Sequence, residues 1–208
     1  MAVLTLLGAT TARASTIPLT LPAFGIGTSL STFDGLASGT EVNGLTADGI
    51  TYQYSLDNGM VTVGSGPGIT SNVTDPSAVS FGDPTGVLTL MLPSLVDMFG
   101  YGYALLALTP VVNATSISLF NGAVPVGTMS YGGAPDPLFT GGFAGIQSTL
   151  PFNRVQLTFN GAEAEAFALD NVRTGVADAA PVPEPASLML LGTGLLMAAR
   201  VRARRSGR

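Results

Sequence analysis

Carboxylates and tyrosines are the reactive side chains this sequence has to work with. The 208-residue chain contains no His, no Cys and no Trp, and all eight of its basic residues are Arg. Zinc or haem ligation by Cys and His, Ser-His-Asp and Cys-His nucleophiles, a Schiff-base lysine and a P-loop are therefore excluded. Between Ser15 and Pro183 twelve carboxylates face two cations, Arg154 and Arg173, for a net charge of −10. Such a surface repels phosphate backbones, which excludes nucleic acid as a partner, and it suits divalent cations better.

Spacing singles out one carboxylate. Phe167 and Leu169 are two apart and share a strand face, but the next large apolar residue, Val172, is three further on. The pleat must slip near Asp170-Asn171, and a bulge there would turn the Asp170 carboxylate toward a neighbour. Glu163 and Glu165 alternate with Ala and read as a solvated strand face. Their spacing alone is compatible with a glycosidase acid/base pair, but nothing else in the sequence frames a cleft, and the chain reads as non-enzymatic with no catalytic residues. Asp75-Pro76, Asp83-Pro84 and Asp136-Pro137 are explained by turn initiation. Among the tyrosines, Tyr52 and Tyr54 share one strand face and Tyr131 falls in a Gly-rich loop, Tyr131 to Pro137. If exposed, these three could stack sugar rings, whereas Tyr101 and Tyr103 belong in a core.

The elements that must position these residues are short strands. Glycine-rich punctuation recurs every eight to twelve residues, and the intervals favour Val, Ile, Thr, Phe and Tyr. Strands are expected over Gly49–Ser55, Met60–Val63, Gly86–Leu92, Tyr101–Thr109, Thr115–Phe120, Phe152–Phe159 and Ala164–Arg173, with turns at Asp48-Gly49, Asp57-Asn58-Gly59, Asn121-Gly122 and Asn160-Gly161. In Phe152–Phe159, Val155, Leu157 and Phe159 fall on one side and Arg154, Gln156 and Thr158 on the other, as a half-buried strand requires. Tyr101–Leu108 is apolar on both faces and reads as a central strand covered on both sides. Leu90–Gly100 stays open between strand and helical turn. The pattern predicts an all-β fold, an antiparallel two-sheet sandwich of jelly-roll type, over residues 15–178.

The ends read as addresses. Residues 1–14 hold a short apolar run and then Ala12-Arg13-Ala14, a small-x-small site for signal peptidase; the missing basic start points to a truncated secretory signal peptide. Residues 179–185 form a Pro-rich linker. Residues 186–208 comprise an apolar stretch from Ala186 to Ala199 and an Arg-rich tail. Fourteen residues make a helix of ~21 Å, near the lower limit for a transmembrane helix once the arginines snorkel. The Arg cluster predicts that this end stays cytoplasmic while the rest is translocated.

Pro183-Glu184-Pro185, the short apolar helix and Arg200, Arg202, Arg204 and Arg205 together resemble the PEP-CTERM sorting signal. That resemblance implies recognition by exosortase in a Gram-negative bacterium that makes exopolysaccharide, a transient membrane anchor, and a mature domain released or attached at the cell surface or in the extracellular matrix. Phe33-Asp34-Gly35-Leu36, Gly39-Thr40, Gly49–Tyr52 and Phe167–Arg173 are similar to the generic jelly-roll-like β-sandwich that precedes such signals. In jelly rolls of that kind an Asp in the last strand and an acidic residue in the first help to hold a structural Ca²⁺. The resemblance thus implies a calcium site at Asp34, Asp170 and Asn171, with Glu41 and backbone carbonyls as further oxygens. The expected role is structural or adhesive within an exopolysaccharide layer; the alternative is a calcium-dependent carbohydrate-binding module using Tyr52, Tyr54 or Tyr131.

Overall fold

In the computed structural model, which describes residues 15–56, 60–65, 70–80, 84–137 and 139–177, the alternating segments form eleven strands. They are β1 (Thr16–Leu19), β2 (Ser29–Ser31), β3 (Thr46–Ala47), β4 (Ile50–Tyr54), β5 (Val61–Gly64), β6 (Ser77–Ser80), β7 (Leu88–Leu105), β8 (Val111–Asn121), β9 (Val124–Pro135), β10 (Thr140–Phe159) and β11 (Phe167–Gly175). The strand order is β5-β6-β11-β7-β10-β8-β9, with β1 on β10, β2 on β11, β4 on β7 and β3 on β4. Every strand pair is antiparallel. The all-β antiparallel sandwich expected from the sequence is present. The proposed signal peptide 1–14, the linker 179–185 and the sorting helix 186–208 lie outside the described residues, as does the Asp57-Asn58-Gly59 turn.

The two layers are one continuous hydrogen-bonded sheet, a difference from the separate sheets expected. Its continuity comes from β7 and β10, of 18 and 20 residues, against a usual strand of roughly 3–10. Residues 98–105 of β7 pair with β11, and residues 88–91 pair with β4. Strand β10 follows β7 through both halves, with register shifts on either side of Phe152. Bulged strands of this kind turn a corner and pass from one layer to the other. The open stretch Leu90–Gly100 is therefore strand throughout, and the strands expected at Gly86–Leu92 and Tyr101–Thr109 fall on one element, β7, which starts at Leu88 and stops at Leu105. Its corner shows as exposed Pro93, Ser94 and Leu95 between buried Leu92 and Val96.

Aromatic contacts show that the layers face each other. Phe159 at the end of β10 stacks on Phe167 of β11 with centroids 3.8 Å apart, and Tyr54 of β4 lies 6.1 Å from the same ring. Phe33, Phe99, Tyr101, Tyr103 and Phe152 complete a core of fully buried large side chains. With no cysteine available for disulfides, burial at about 1.5–3 kcal/mol for each large apolar side chain must hold the fold. The β3–β4 hairpin is closed by Asp48-Gly49, both at positive φ (50° and 82°) between the pair Ala47 and Ile50, as a two-residue type I′ turn demands.

Two local expectations are corrected. Strand β11 begins at Phe167 rather than Ala164, because Asn160 organises residues 160–166 as a turn: its carbonyl accepts from the Ala164 amide (3.1 Å) and its side-chain oxygen from the Ala162 amide (3.2 Å). Residues 131–135, read as loop, continue β9.

Candidate functional site

The site is built on the slip in β11. Asp170 pairs with Gly102 of β7 and Arg173 with Gly100, so three steps on β11 match two on β7. One residue is extra, as the broken alternation predicted, and Asn171 absorbs it at φ 53°. The bulge aims the Asp170 side chain inward, where it is 1% exposed.

Residues 70–76 cover it. The Thr74 amide and hydroxyl both donate to Asp170 Oδ2, at 3.0 and 2.7 Å, and the Asn171 side-chain amide donates to the same oxygen at 3.0 Å. Asn171 also donates to the Asn72 carbonyl at 3.1 Å. A Cβ at position 102 would collide with that carbonyl, so glycine is required in β7 for the loop to sit there. The segment is tied on its other side by Ser71, whose amide donates to Asp136 Oδ2 at 3.0 Å.

The three donors to Asp170 all serve one carboxylate oxygen, Oδ2. Among the described residues Asp170 Oδ1 is buried with no hydrogen-bond partner. Burial raises the Asp170 carboxyl above its ordinary range; the Thr74 and Asn171 hydrogen bonds pull it back, and the charge of Asp34 raises it further. Burial also pushes the Tyr52 phenol up to about 12, with the adjacent Ser31 hydroxyl opposing and the charges of Asp48 and Asp170 adding to the shift.

The charge of Asp34 is felt at Asp170. Asp34 is itself exposed, and its Oδ2 accepts from the Thr32 hydroxyl at 3.2 Å. Asn171 turns its amide nitrogen, not its oxygen, toward Asp170. The backbone of Glu41 forms an isolated bridge with Thr62. An orphaned buried carboxylate oxygen beside a second carboxylate is a donor set that fits a hard cation, because an unpaired oxygen costs desolvation energy that a cation would offset. Among the described residues no three acidic side chains converge, so backbone carbonyls and hydroxyls would have to complete the shell.

The tyrosines expected to stack sugars do not form a platform. Tyr52 and Tyr54 alternate with outward Thr51 and Gln53, and their rings lie in the core against Phe33 and Phe167. Tyr131 sits in β9, packs against the core, and its hydroxyl donates to the Gly145 carbonyl at 2.5 Å. The strand's inner face took them because each brings a large apolar ring. Glu163 and Glu165 are exposed on the 160–166 turn; Glu165 lines a shallow groove with Ser80, Pro84 and Leu106, and Glu163 does not.

Sequence reasoning missed Thr74, Asn72 and Ser31. Asn72-Val-Thr74 carries only a formal glycosylation pattern, and a contact 96 residues away along the chain leaves no local trace.

Beyond this domain, residues 181–205 match the family model described as the PEP-CTERM protein-sorting motif. The chain carries a PEP-CTERM sorting motif. The matched stretch includes Pro183, Glu184, Pro185, Arg200, Arg202, Arg204 and Arg205, which lie outside the described residues. The PEP-CTERM match spans 25 of the 208 residues and leaves the β-domain unassigned. A comparison with curated proteins gave no match. Among solved structures, the carbohydrate-binding module CBM29-2 aligns at 10% identity and TM-score 0.40, covering 83% of this chain and 99% of that one. The catalytic domain of a GH87 α-1,3-glucanase in complex with nigerose aligns at 14% identity and TM-score 0.42, covering 77% of this chain and 30% of that one. Overlaps of this size carry neither ligand nor activity across.

Proposed function

We propose that the protein is an exported, non-enzymatic component of the cell surface or extracellular matrix, sorted through its C-terminus by exosortase and acting structurally or adhesively in an exopolysaccharide layer. The observation that carries this reading is the PEP-CTERM motif at 181–205. An apolar stretch flanked by cytoplasmic arginines holds the chain in the membrane during export, and cleavage near Pro183-Glu184-Pro185 then frees the β-domain. The test is expression of the full chain in an exosortase-containing host, with and without replacement of Arg200, Arg202, Arg204 and Arg205 by Gln. The intact tail yields a shortened protein at the surface or in the medium, and the substituted tail a full-length one. Equal processing of both would overturn the role assigned to the arginines; no processing of either would overturn sorting.

Calcium belongs to the same proposal. Asp170 Oδ1 and Asp34 supply its carboxylate oxygens, and the ion stabilises the β11 bulge and the 70–76 loop rather than taking part in a reaction. The buried Oδ1, without a partner among the described residues, supports this assignment; dialysis against chelator followed by thermal melting with and without added Ca²⁺ tests it.

A further inference from the structure

We infer that the outer face of the layer β9-β8-β10-β7-β4 binds an extended, uncharged polysaccharide chain. This rests on the reading of the domain as a component of a polysaccharide layer, and it names a surface and a ligand class for it. Register places one outward residue of each strand in a single row: Thr128 pairs with Ser118, Ser118 with Gln156, Gln156 with Thr89, and Thr89 with Gln53. Their chain neighbours Ile117, Leu119, Val155, Leu157, Leu88, Leu90, Tyr52 and Tyr54 are all buried, so the alternation points the row away from the core. Four strand spacings make it roughly 19 Å long, enough for several sugar rings in line.

Every member of the row ends in a hydroxyl or an amide, groups that both donate and accept. Ser118 and Thr128 already share one bond at 3.0 Å, while Gln53, Thr89 and Gln156 spend none within the described fold. At its β4 end the row opens into a shallow groove lined by Asn43, Gln53, Ser55 and Thr89. Two residues along, Arg154 lies over the Phe120 ring at 4.3 Å, presenting a flat guanidinium surface beside the row.

Charge selects the ligand. Of these five strands only β7 carries a carboxylate, Asp97, which lies past the corner at residues 93–95 from the row and accepts from the Ala177 amide at 2.7 Å, although the stretch from Ser15 to Pro183 carries −10. A polyanion is repelled by the domain as a whole, whereas a neutral hydroxyl-rich chain meets a face of matching polarity without desolvating a carboxylate.

The experiment is native affinity electrophoresis of the full chain in mild detergent through gels containing hydroxyethyl cellulose, dextran, galactomannan or alginate. At least one of the three neutral polymers retards the protein, and alginate does not. The Gln53→Ala/Gln156→Ala double variant, checked for unchanged melting, binds roughly tenfold more weakly, as loss of two hydrogen bonds predicts; Glu163→Gln, on the 160–166 turn, binds as the parent does. Retardation by none of the neutral polymers, retardation by alginate alone, or full binding by the double variant overturns the inference. Tail processing is scored on the same samples, so a protein that is sorted normally yet ignores every neutral polymer sinks this inference and leaves the sorting reading standing.

Discussion

Thr74 closes over Asp170 through both its backbone amide and its hydroxyl, at 3.0 and 2.7 Å, and both bonds fall on Oδ2. The other oxygen, Oδ1, stays buried and has no partner among the described residues. Proton and calcium concentration are the two variables that test this lopsided solvation.

The pH dependence has a definite sign. Asp170 is raised in the folded state relative to an unfolded value of about 3.9, so the chain gains stability where the folded carboxyl is protonated. In chelator that gain is complete below about pH 4 and is lost as pH rises through the folded pKa. Melting temperature in EDTA should therefore fall over that interval more steeply for the parent than for Asp170→Asn, and Ca²⁺ should recover it at neutral pH. Coincident EDTA and Ca²⁺ curves at pH 7 would remove the cation from the site.

Replacing Thr74 by Val keeps the shape and deletes one donor to a buried carboxylate. A loss of about 1.5–3 kcal/mol is expected by urea denaturation, the range for a hydrogen bond to a charged group. Thr158→Val, at an exposed position in β10, should change stability by less than about 0.5 kcal/mol.

Gly102→Ala should cost about 1–3 kcal/mol, because its Cβ collides with the Asn72 carbonyl and backbone must move. The displaced loop carries Thr74 with it. Calcium-dependent stabilisation should therefore weaken in this variant more than its melting temperature alone predicts, and titration of the variant with Ca²⁺ measures that difference.

Phe167→Ala removes the ring that stacks on Phe159 and touches Tyr54. An unfolding free energy lower by about 3–5 kcal/mol is expected, read from denaturant midpoints at unchanged slope.

Local pattern carried a good part of this molecule. The alternation in Val155, Leu157 and Phe159 gave the correct faces of β10, the Asp48-Gly49 pair gave the hairpin, and the misplaced Val172 gave the bulge. What failed depended on distant partners. Tyr52 and Tyr54 were offered to solvent because a tyrosine pair on one face reads the same whichever side is covered, and only the opposing Phe33 and Phe167 decide it. The join of Gly86–Leu92 to Tyr101–Thr109 was hidden because the corner exposes Pro93, Ser94 and Leu95 in a run that mimics a loop. Strands β2 and β3, of three and two residues, are too short to show any period. At the site, the slip at Asp170-Asn171 was legible in the spacing, Asp34 and the calcium role came from a resemblance, and Thr74 could come only from the closed structure.

The position of β11 has a mechanical side. It is an interior strand, paired with β7 along one edge and with β6 and β2 along the other, and it leads directly to Ala177. A pull applied at that end runs along the strand, so it loads the flanking hydrogen bonds side by side instead of peeling them one at a time. A pull at that end thus meets bonds on both edges of β11 at once, while β1, held by four pairs to β10, is the strand that a pull from Ser15 would strip first.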